Sequence, residues 1–295
     1  MAGNRETAGI WPDNARTVVV VTVVVENWSE GKAPTYSPMT TTPKPGVIDR
    51  AGVAWSQSGG RAGGWRLLRI LDAHKIPSTF CMNARGAEIH PDLTKQIAAS
   101  GHEVAAHAYY QDEVLSVMAP DEERAVIKRC ADVLKSVTGE RPSGWISPTL
   151  ATTAHTADFL AAEGYLWHGD YNNIDLPCRV TTKHGPMVAL PHSDFADNRV
   201  LRAAPRDFFQ CYKDTFDYLY AKEPAGYLNI TLHGHFGGRP LISAVFDQLL
   251  TYIKGHANVW FVRHDELARY VMKREMDEIS YQQRFFAGTA RRTGS

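Results

Sequence analysis

The chain has 295 residues, and its 32 lysine and arginine residues balance its 32 aspartate and glutamate residues, so its formal charge is zero when histidine is neutral. Hydrophobic residues make up 44% of the chain and charged residues 22%, which is typical of a globular protein and excludes disorder as the dominant state. The balanced charge argues against a nucleic-acid-binding role, because such proteins need an excess of basic side chains to neutralise phosphates.

Two further features of the composition predict a cytoplasmic protein. The four cysteines are widely separated and show no zinc-ribbon spacing, which predicts buried thiols in a reducing compartment. Residues 1–14 are polar and lack the apolar stretch of a secretory signal, and the longest apolar run, 18–25, is too short to cross a bilayer. We therefore expect a protein that contacts neither a membrane nor nucleic acid.

The first predicted element is a strand at residues 18–25, because this valine-rich, β-branched run suits a strand buried on both faces of a parallel sheet. Residues 30–64 follow and are rich in proline, glycine and threonine, so they predict a long loop. Loops of such length in compact domains usually carry function, and we expect this one to cover a binding site or to reach a neighbouring subunit.

From residue 65 to residue 273 the sequence alternates between helical and strand patterns. The predicted helices cover residues 65–74, 91–100, 120–138, 153–163, 205–220, 241–255 and 265–273. The predicted strands cover residues 78–82, 103–106, 144–146, 165–168, 187–190, 227–232 and 259–262. This alternation predicts an α/β fold with a parallel sheet, and the number of units favours closure into a barrel over an open sheet.

We expect one catalytic domain over residues 1–295, with its core at about residues 16–273. Residues 275–295 form a polar tail that is expected to lie along a partner or to be partly disordered. No glycine-rich nucleotide motif follows any predicted strand, so nucleotide binding has no support.

The candidate site residues follow predicted strands, because sites in parallel α/β proteins form at the carboxyl ends of their strands. These candidates are Glu26, Trp28, His107, Gln111, Glu113, Asp170, His233, His235 and Arg239. We expect them to converge on one pocket.

Three segments resemble the polysaccharide deacetylase superfamily: residues 101–107 (GHEVAAH), 141–148 (RPSGWISP) and 231–233 (TLH). The order and spacing of these segments match the superfamily from about residue 16 to residue 273. The resemblance implies a distorted, incomplete (β/α) barrel with about seven parallel strands. It also implies hydrolysis of an amide, which in most members takes place at a divalent metal.

The chain departs from the metal-binding pattern of that superfamily. Members that bind metal have an aspartate pair at the end of the first strand and two histidines four residues apart. Here Glu26 follows the first strand, and Gln111 stands four residues after His107. Because zinc prefers firm nitrogen, sulfur or carboxylate ligands, we expect no metal and no other cofactor, with zinc as the alternative. The pattern is similar to the subgroup that includes the metal-independent allantoinase, whose members hydrolyse small linear or cyclic amides.

Hydrolysis of an amide without metal needs a base for water, a donor for the oxyanion and a proton for the leaving nitrogen. We assign Glu26 as the base and expect its pKa to be raised beside Trp28. His107 shares this role or orients the water, and His233 is the acid or the oxyanion donor.

The remaining candidates are expected to bind or position the substrate, and Trp28 belongs with them. Gln111, Glu113 and His235 contribute polar groups, while Arg239 offers a planar fork for a carboxylate or ureido oxygen. Asp170 is expected to orient one of the histidines. Each candidate also has a structural alternative, such as a capping carboxylate or a histidine that bonds only to backbone carbonyls.

These expectations predict a hydrolase of non-peptide carbon–nitrogen bonds that acts on a small amide, imide or ureide. One alternative is a metal-dependent polysaccharide or sugar N-deacetylase that uses zinc. Another is a catalytically silent binding protein on the same scaffold. We expect the partner to be a small-molecule substrate and the protein to form a homo-oligomer.

Overall fold

The computed structural model describes residues 9–40, 46–201 and 203–286, which form ten α-helices and one nine-stranded sheet. The strands are β1 (Thr17–Val25), β2 (Thr79–Met82), β3 (Glu103–Ala106), β4 (Gly144–Trp145), β5 (Trp167–His168), β6 (Cys178–Thr182), β7 (Gly185–Ala189), β8 (Gly226–His233) and β9 (Val259–Phe261). The helices are α1 (Arg50–Ser58), α2 (Gly64–His74), α3 (Ala84–Ile89), α4 (Pro91–Ala99), α5 (Pro120–Thr138), α6 (Thr156–Ala162), α7 (Arg206–Lys222), α8 (Pro240–Lys254), α9 (His264–Lys273) and α10 (Tyr281–Phe286).

The sheet is curled and mostly parallel, with the strand order β6-β7-β5-β4-β3-β2-β1-β8 and with β9 also paired to β1. Every pair is parallel except the β6–β7 hairpin. A single parallel bridge between Ala196 and Thr231 brings the chain after β7 to β8, so the two ends of the sheet approach each other. This confirms the predicted α/β class and the distorted, incomplete (β/α) barrel.

Strand β1 pairs with β2, β8 and β9 and is buried along its whole length. Val19, Val21 and Val23 pack into a core shared with α2, α7 and α8, whereas Val18 and Val20 pack on the opposite face of the sheet. Burying each valine contributes about 1.5–3 kcal/mol, so this strand is a main source of stability. The prediction of a strand buried on both faces is confirmed.

The predicted loop over residues 30–64 is wrong in its second half, where the chain is helical. Helix α1 begins after Asp49, whose side chain accepts a hydrogen bond from the Gly52 backbone N–H, and a π-helical turn (Gly59–Gly63) joins it to α2. A Cβ atom on Gly63 would lie 1.8 Å from the Gly234 carbonyl oxygen, so glycine is needed here for close packing. The glycines that indicated a loop are therefore packing residues, and residues 41–45 lie outside the described ranges.

The tail contains an ordered helix that the sequence did not predict. In α10, the buried Arg284 side chain pairs with Asp175 and, at 3.5 Å, with Glu223. This ordered helix therefore packs on its own chain, and residues 287–295 lie outside the described part.

Two further observations concern the cysteines and the helices. The four cysteines are free thiols, and all except Cys211 are buried. Among the described residues, no helix has the length and apolar character that crossing a membrane would require.

Candidate active site

A cluster of one carboxylate and three imidazoles surrounds the end of β1. The Glu26 side chain is only 4% exposed, and its Oε1 atom lies 3.9 Å from His107 Nε2 and 3.8 Å from His233 Nε2. Its Oε2 atom lies 3.5 Å from His235 Nδ1. The structure thus brings together the three residues to which we assigned catalytic roles, together with His235.

The parallel pairing of neighbouring strands explains this convergence. Val24 pairs with His233 across β1 and β8, so Glu26 and His233 leave adjacent strands at the same edge. His107 follows β3, and its backbone N–H bonds to the Met82 carbonyl at the end of β2. Each side chain therefore stands at the carboxyl end of its strand.

The charge on Glu26 differs from the sequence expectation. Burial alone raises the pKa of this carboxyl group, but the neighbouring His233, His107 and His235 outweigh burial and lower the pKa to about 2. The expected rise in pKa beside Trp28 is therefore wrong, because imidazoles rather than an aromatic wall face the carboxylate. Glu26 is a carboxylate anion at neutral pH.

His233 is held by a second acid, Asp197, that the sequence analysis missed. The fully buried Asp197 carboxylate lies 2.6 Å from His233 Nδ1 and accepts a 2.7 Å hydrogen bond from the His233 backbone N–H. Burial lowers the pKa of His233, but Asp197 and Glu26 overcome this effect and raise it to about 9. His233 is therefore an imidazolium at neutral pH, with Nε2–H directed toward Glu26.

His107 has a defined orientation because its Nδ1 atom lies 2.7 Å from the Ile146 carbonyl oxygen. Since a carbonyl only accepts, Nδ1 must donate this hydrogen bond. His107 Nε2 is buried and has no hydrogen-bond partner among the described residues. This nitrogen is therefore available to a water molecule or a ligand.

The cluster opens into a cavity of about 200 Å³. This volume lies below the ~300–1,000 Å³ of drug-sized pockets, which indicates a small ligand. The larger neighbouring cavity, about 390 Å³, includes none of Glu26, His107 and His233 in its wall. The polar side chains that line the smaller cavity are Glu26, Tyr36, His107, Gln111, Ser147, Thr149, His192, Ser193, Asp194, Asn198, Arg199 and His233.

Three predicted substrate-binding residues lie behind the cavity wall rather than on it. Trp28 packs edge-on against the His235 ring at 5.3 Å, and His235 is fully buried beneath Glu26. Arg239 donates hydrogen bonds to the backbone carbonyls of His235 and Trp55. These contacts shape the floor of the site.

Two predicted acids also bond within the protein. Glu113 accepts a hydrogen bond from the Tyr110 backbone N–H, and Asp170 accepts two from Ser147. Burial raises the pKa of Asp170 to about 6, although the Ser147 bonds oppose this rise. Neither of these Asp170 hydrogen bonds involves a site histidine, whereas the Asp197 carboxylate bonds to His233.

Sequence reasoning missed Tyr36, Asp197, Asn198 and Arg199 for a common reason. Tyr36 lies in a loop and the other three lie in a short 3-10 helix (Asp197–Val200), and none directly follows a predicted strand. Tyr36 belongs to the 30–64 segment, which we expected to cover a site, and that is the one signal that pointed to it. The other three approach the site only because Ala196 pairs with β8.

The residues at this site do not fit a three-ligand metal centre. In the described part of the chain, no three His, Cys, Asp or Glu residues are arranged to hold a metal ion. Gln111 offers a carboxamide where the superfamily places its second histidine, and a carboxamide is a poor zinc ligand.

Comparison with known proteins gives consistent results. The model of the polysaccharide deacetylase family matches residues 58–166. The chain is 30% identical to the crystal structure of Puue allantoinase, with a TM-score of 0.79 and coverage of 88% of this chain and 91% of that chain. It is 28% identical to a probable polysaccharide deacetylase from Pseudomonas aeruginosa PAO1, with a TM-score of 0.79 and coverage of 89% and 93%. It is also 23% identical over 251 residues to a peptidoglycan deacetylase from Helicobacter pylori. This match covers 73% of this chain and 85% of that protein.

Proposed function

Because this chain belongs to the polysaccharide deacetylase family and is a hydrolase of carbon–nitrogen bonds other than peptide bonds, we propose that it hydrolyses a small linear or cyclic amide, imide or ureide without a resident metal. The observation that carries this proposal is the ionised Glu26–His233 pair at the wall of a small cavity. Glu26 supplies a negative charge and His233 supplies a proton donor, and the two side chains lie next to each other in the cavity wall.

The attacking water is placed between Glu26 and His107 in this proposal. Glu26 Oε1 and His107 Nε2 are 3.9 Å apart, which is too far for a direct hydrogen bond. A water molecule beside both atoms could hydrogen-bond to each of them. A carboxyl group with a pKa of about 2 is a weak base, so the water's proton passes to the His107 Nε2 lone pair. Glu26 orients the water and stabilises the resulting imidazolium.

His233 completes the reaction as the acid. The hydroxide adds to the carbonyl carbon, and the carbon–nitrogen bond then breaks as His233 Nε2–H protonates the leaving nitrogen. After the reaction, His107 holds the extra proton and His233 has lost one. Glu26 lies within 3.9 Å of both Nε2 atoms, so a proton transfer along the carboxylate edge restores the starting state.

A second candidate is a metal-dependent deacetylase of a polysaccharide or sugar. The names of the Pseudomonas and Helicobacter relatives favour this alternative. The small cavity and the donor set at Glu26 favour the first proposal.

Metal analysis combined with a substrate panel tests the proposal. Purified protein is analysed for bound metals and then assayed, before and after chelator treatment, on allantoin, hydantoins, cyclic imides and N-acetylated sugar oligomers. We expect turnover of a small amide, imide or ureide that is insensitive to the chelator. Chelator-sensitive release of acetate from sugars would support the second candidate, and no turnover of any compound would indicate a silent binding protein.

We also propose that the chain acts as one catalytic domain in the cytoplasm and forms a homo-oligomer. Cell fractionation tests the location, and light scattering after size-exclusion chromatography tests the oligomeric state. A periplasmic or secreted location, or a monomer at micromolar concentration, would contradict these proposals.

A further inference from the structure

Tyr36 is the residue that links the loop after β1 to the charged cluster. Its hydroxyl group lies 3.1 Å from His235 Nε2 and 3.5 Å from Glu26 Oε2, and Tyr36 lines the catalytic cavity. Burial raises the pKa of the Tyr36 phenol, which therefore keeps its proton. The proposed reaction uses Glu26, His107 and His233 and does not use this phenol.

The direction of the Tyr36 hydrogen bond follows from its neighbours. His235 is fully buried, and burial lowers its pKa to about 4, so the ring is neutral and carries one N–H. Its Nδ1 atom lies 3.5 Å from Glu26 Oε2 and makes no hydrogen bond among the described residues; an N–H on Nδ1 would face this acceptor, and Nε2 would then hold the lone pair. In this tautomer the Tyr36 O–H donates to His235 Nε2 at 3.1 Å, with Glu26 Oε2 as the more distant acceptor at 3.5 Å.

This arrangement gives the Tyr36 oxygen a defined role at the cavity wall. With its proton directed at His235, the oxygen presents lone pairs and acts as an acceptor. Two more acceptor atoms of the same cavity, Gln111 Oε1 and Asn198 Oδ1, are buried and have no hydrogen-bond partner among the described residues. The wall thus offers two unpaired oxygens beside the Tyr36 oxygen, which also lies against the Asn198 side chain, and all three can accept from N–H or O–H donors of a ligand.

We propose that Tyr36 is a specificity-determining residue, whose oxygen accepts a hydrogen bond from an N–H group of the substrate. This inference rests on the proposed function and deepens it, because it restricts the substrates to amides, imides or ureides with a free N–H. An N-methylated analogue leaves the buried acceptor unpaired, and the loss of one such hydrogen bond corresponds to a preference on the order of 10- to 100-fold.

The first test compares hydantoin with its N-methylated derivatives as substrates and as ligands in calorimetry. For the wild-type protein we expect kcat/KM or affinity to favour the unmethylated compound about 10- to 100-fold. Tyr36→Phe should remove most of this preference. Tyr218→Phe, on the exposed part of α7, serves as the matched control and should retain it. An undiminished preference in Tyr36→Phe would overturn the inference.

The second test needs no substrate and measures which ring nitrogen of His235 carries the proton. In nitrogen-15 NMR of histidine-labelled protein, we expect His235 to carry its proton on Nδ1, and Tyr36→Phe to shift the Nε2 resonance. A proton on Nε2 would refute the inference, since Tyr36 would then be the acceptor from His235. Because this result is independent of turnover, it separates failure of the inference from failure of the proposed function, which would appear as no hydrolysis of any panel compound.

Discussion

At the scale of single residues, the charge state of each site histidine depends on which of two carboxylates, Glu26 and Asp197, it contacts. Asp197 binds His233 from behind, while Glu26 faces His233, His107 and His235 from the front. His233 lies between two carboxylates and is protonated, whereas His235 faces only one and is neutral. The same side-chain type thus takes two charge states within one cluster because its neighbours differ.

The pH dependence of activity tests the role of Asp197 as a positioning residue. His233 must be protonated to act as the acid, so kcat/KM of the wild type should fall as pH rises through about 9. In Asp197→Asn, the negative charge that raises the pKa of His233 is lost, while the burial that lowers this pKa remains. The pH at which activity falls on the alkaline side should therefore decrease by about 1–3 units.

A pH–rate profile measures this shift, and Asp207→Asn in the first turn of α7 is the control. An alkaline limb that stays near pH 9 in Asp197→Asn would show that another group is the acid.

At the scale of elements, close contact between two glycine-rich segments sets the position of the imidazoles. The π-helical turn between α1 and α2 packs directly on the chain after β8, where Gly234 separates His233 from His235. A Cβ atom would lie 1.8 Å from the Gly234 carbonyl oxygen if placed on Gly63, and 2.3 Å from the same oxygen if placed on Gly238. The site therefore depends on a helix–strand distance that only glycine permits.

Gly63→Ala is expected to push this turn away from the Gly234 carbonyl oxygen. The predicted cost in the free energy of unfolding is about 1–3 kcal/mol, together with a loss of activity larger than the loss of folded protein explains. Chemical denaturation and kcat measured on the folded fraction distinguish the two effects.

Gly255→Ala at the end of α8 is the control, because its φ of −70° is accessible to alanine and its Cβ would come no closer than 3.2 Å to the Tyr252 carbonyl oxygen, against 1.8 Å at Gly63. If Gly63→Ala matched this control in both stability and kcat, the contact would not position the site.

At the scale of the whole molecule, burying the charged cluster links stability to pH. The pKa of His233 is about 9 in the folded protein, against an ordinary value of 6.5, so its contribution is fully present below pH 6.5 and is lost as pH rises through 9. Glu26 acts in the opposite sense, since its lowered pKa contributes stability above pH 4.5 that is lost as pH falls toward 2.

Between pH 6.5 and 9 the free energy of unfolding should therefore fall by about 1.4 kcal/mol per pH unit through His233 alone. Denaturant unfolding of the wild type and of His233→Gln measures this slope. The variant should lack this part of the pH dependence, and equal slopes in the two proteins would contradict the ionised state of His233.

Much of the fold could be predicted because its elements carry local signals. The valine run of β1, the proline start of α4 and the acidic first turn of α5 lie where the pattern predicts them. The second half of the 30–64 segment could not be predicted, because glycines that favour a loop locally are selected there by packing against β8. Strand β6 was missed because its residues are mostly only partly buried and show no clear alternation, whereas the strand predicted at residues 187–190 overlaps β7.

The sequence by itself determined the family resemblance, the parallel α/β architecture and the positions of Glu26, His107 and His233 at strand ends, because strand periodicity and short motifs are local properties of the chain. Tertiary structure alone decided the charge of each group and the identity of its partners. A pKa depends on burial and on charges that come from distant segments, as Asp197 reaches His233 and Tyr36 reaches His235. The Asp197–His233 contact arises from the curl of the sheet, and the Tyr36–His235 contact arises from the segment at residues 30–64. No local pattern in the sequence encodes either of these contacts.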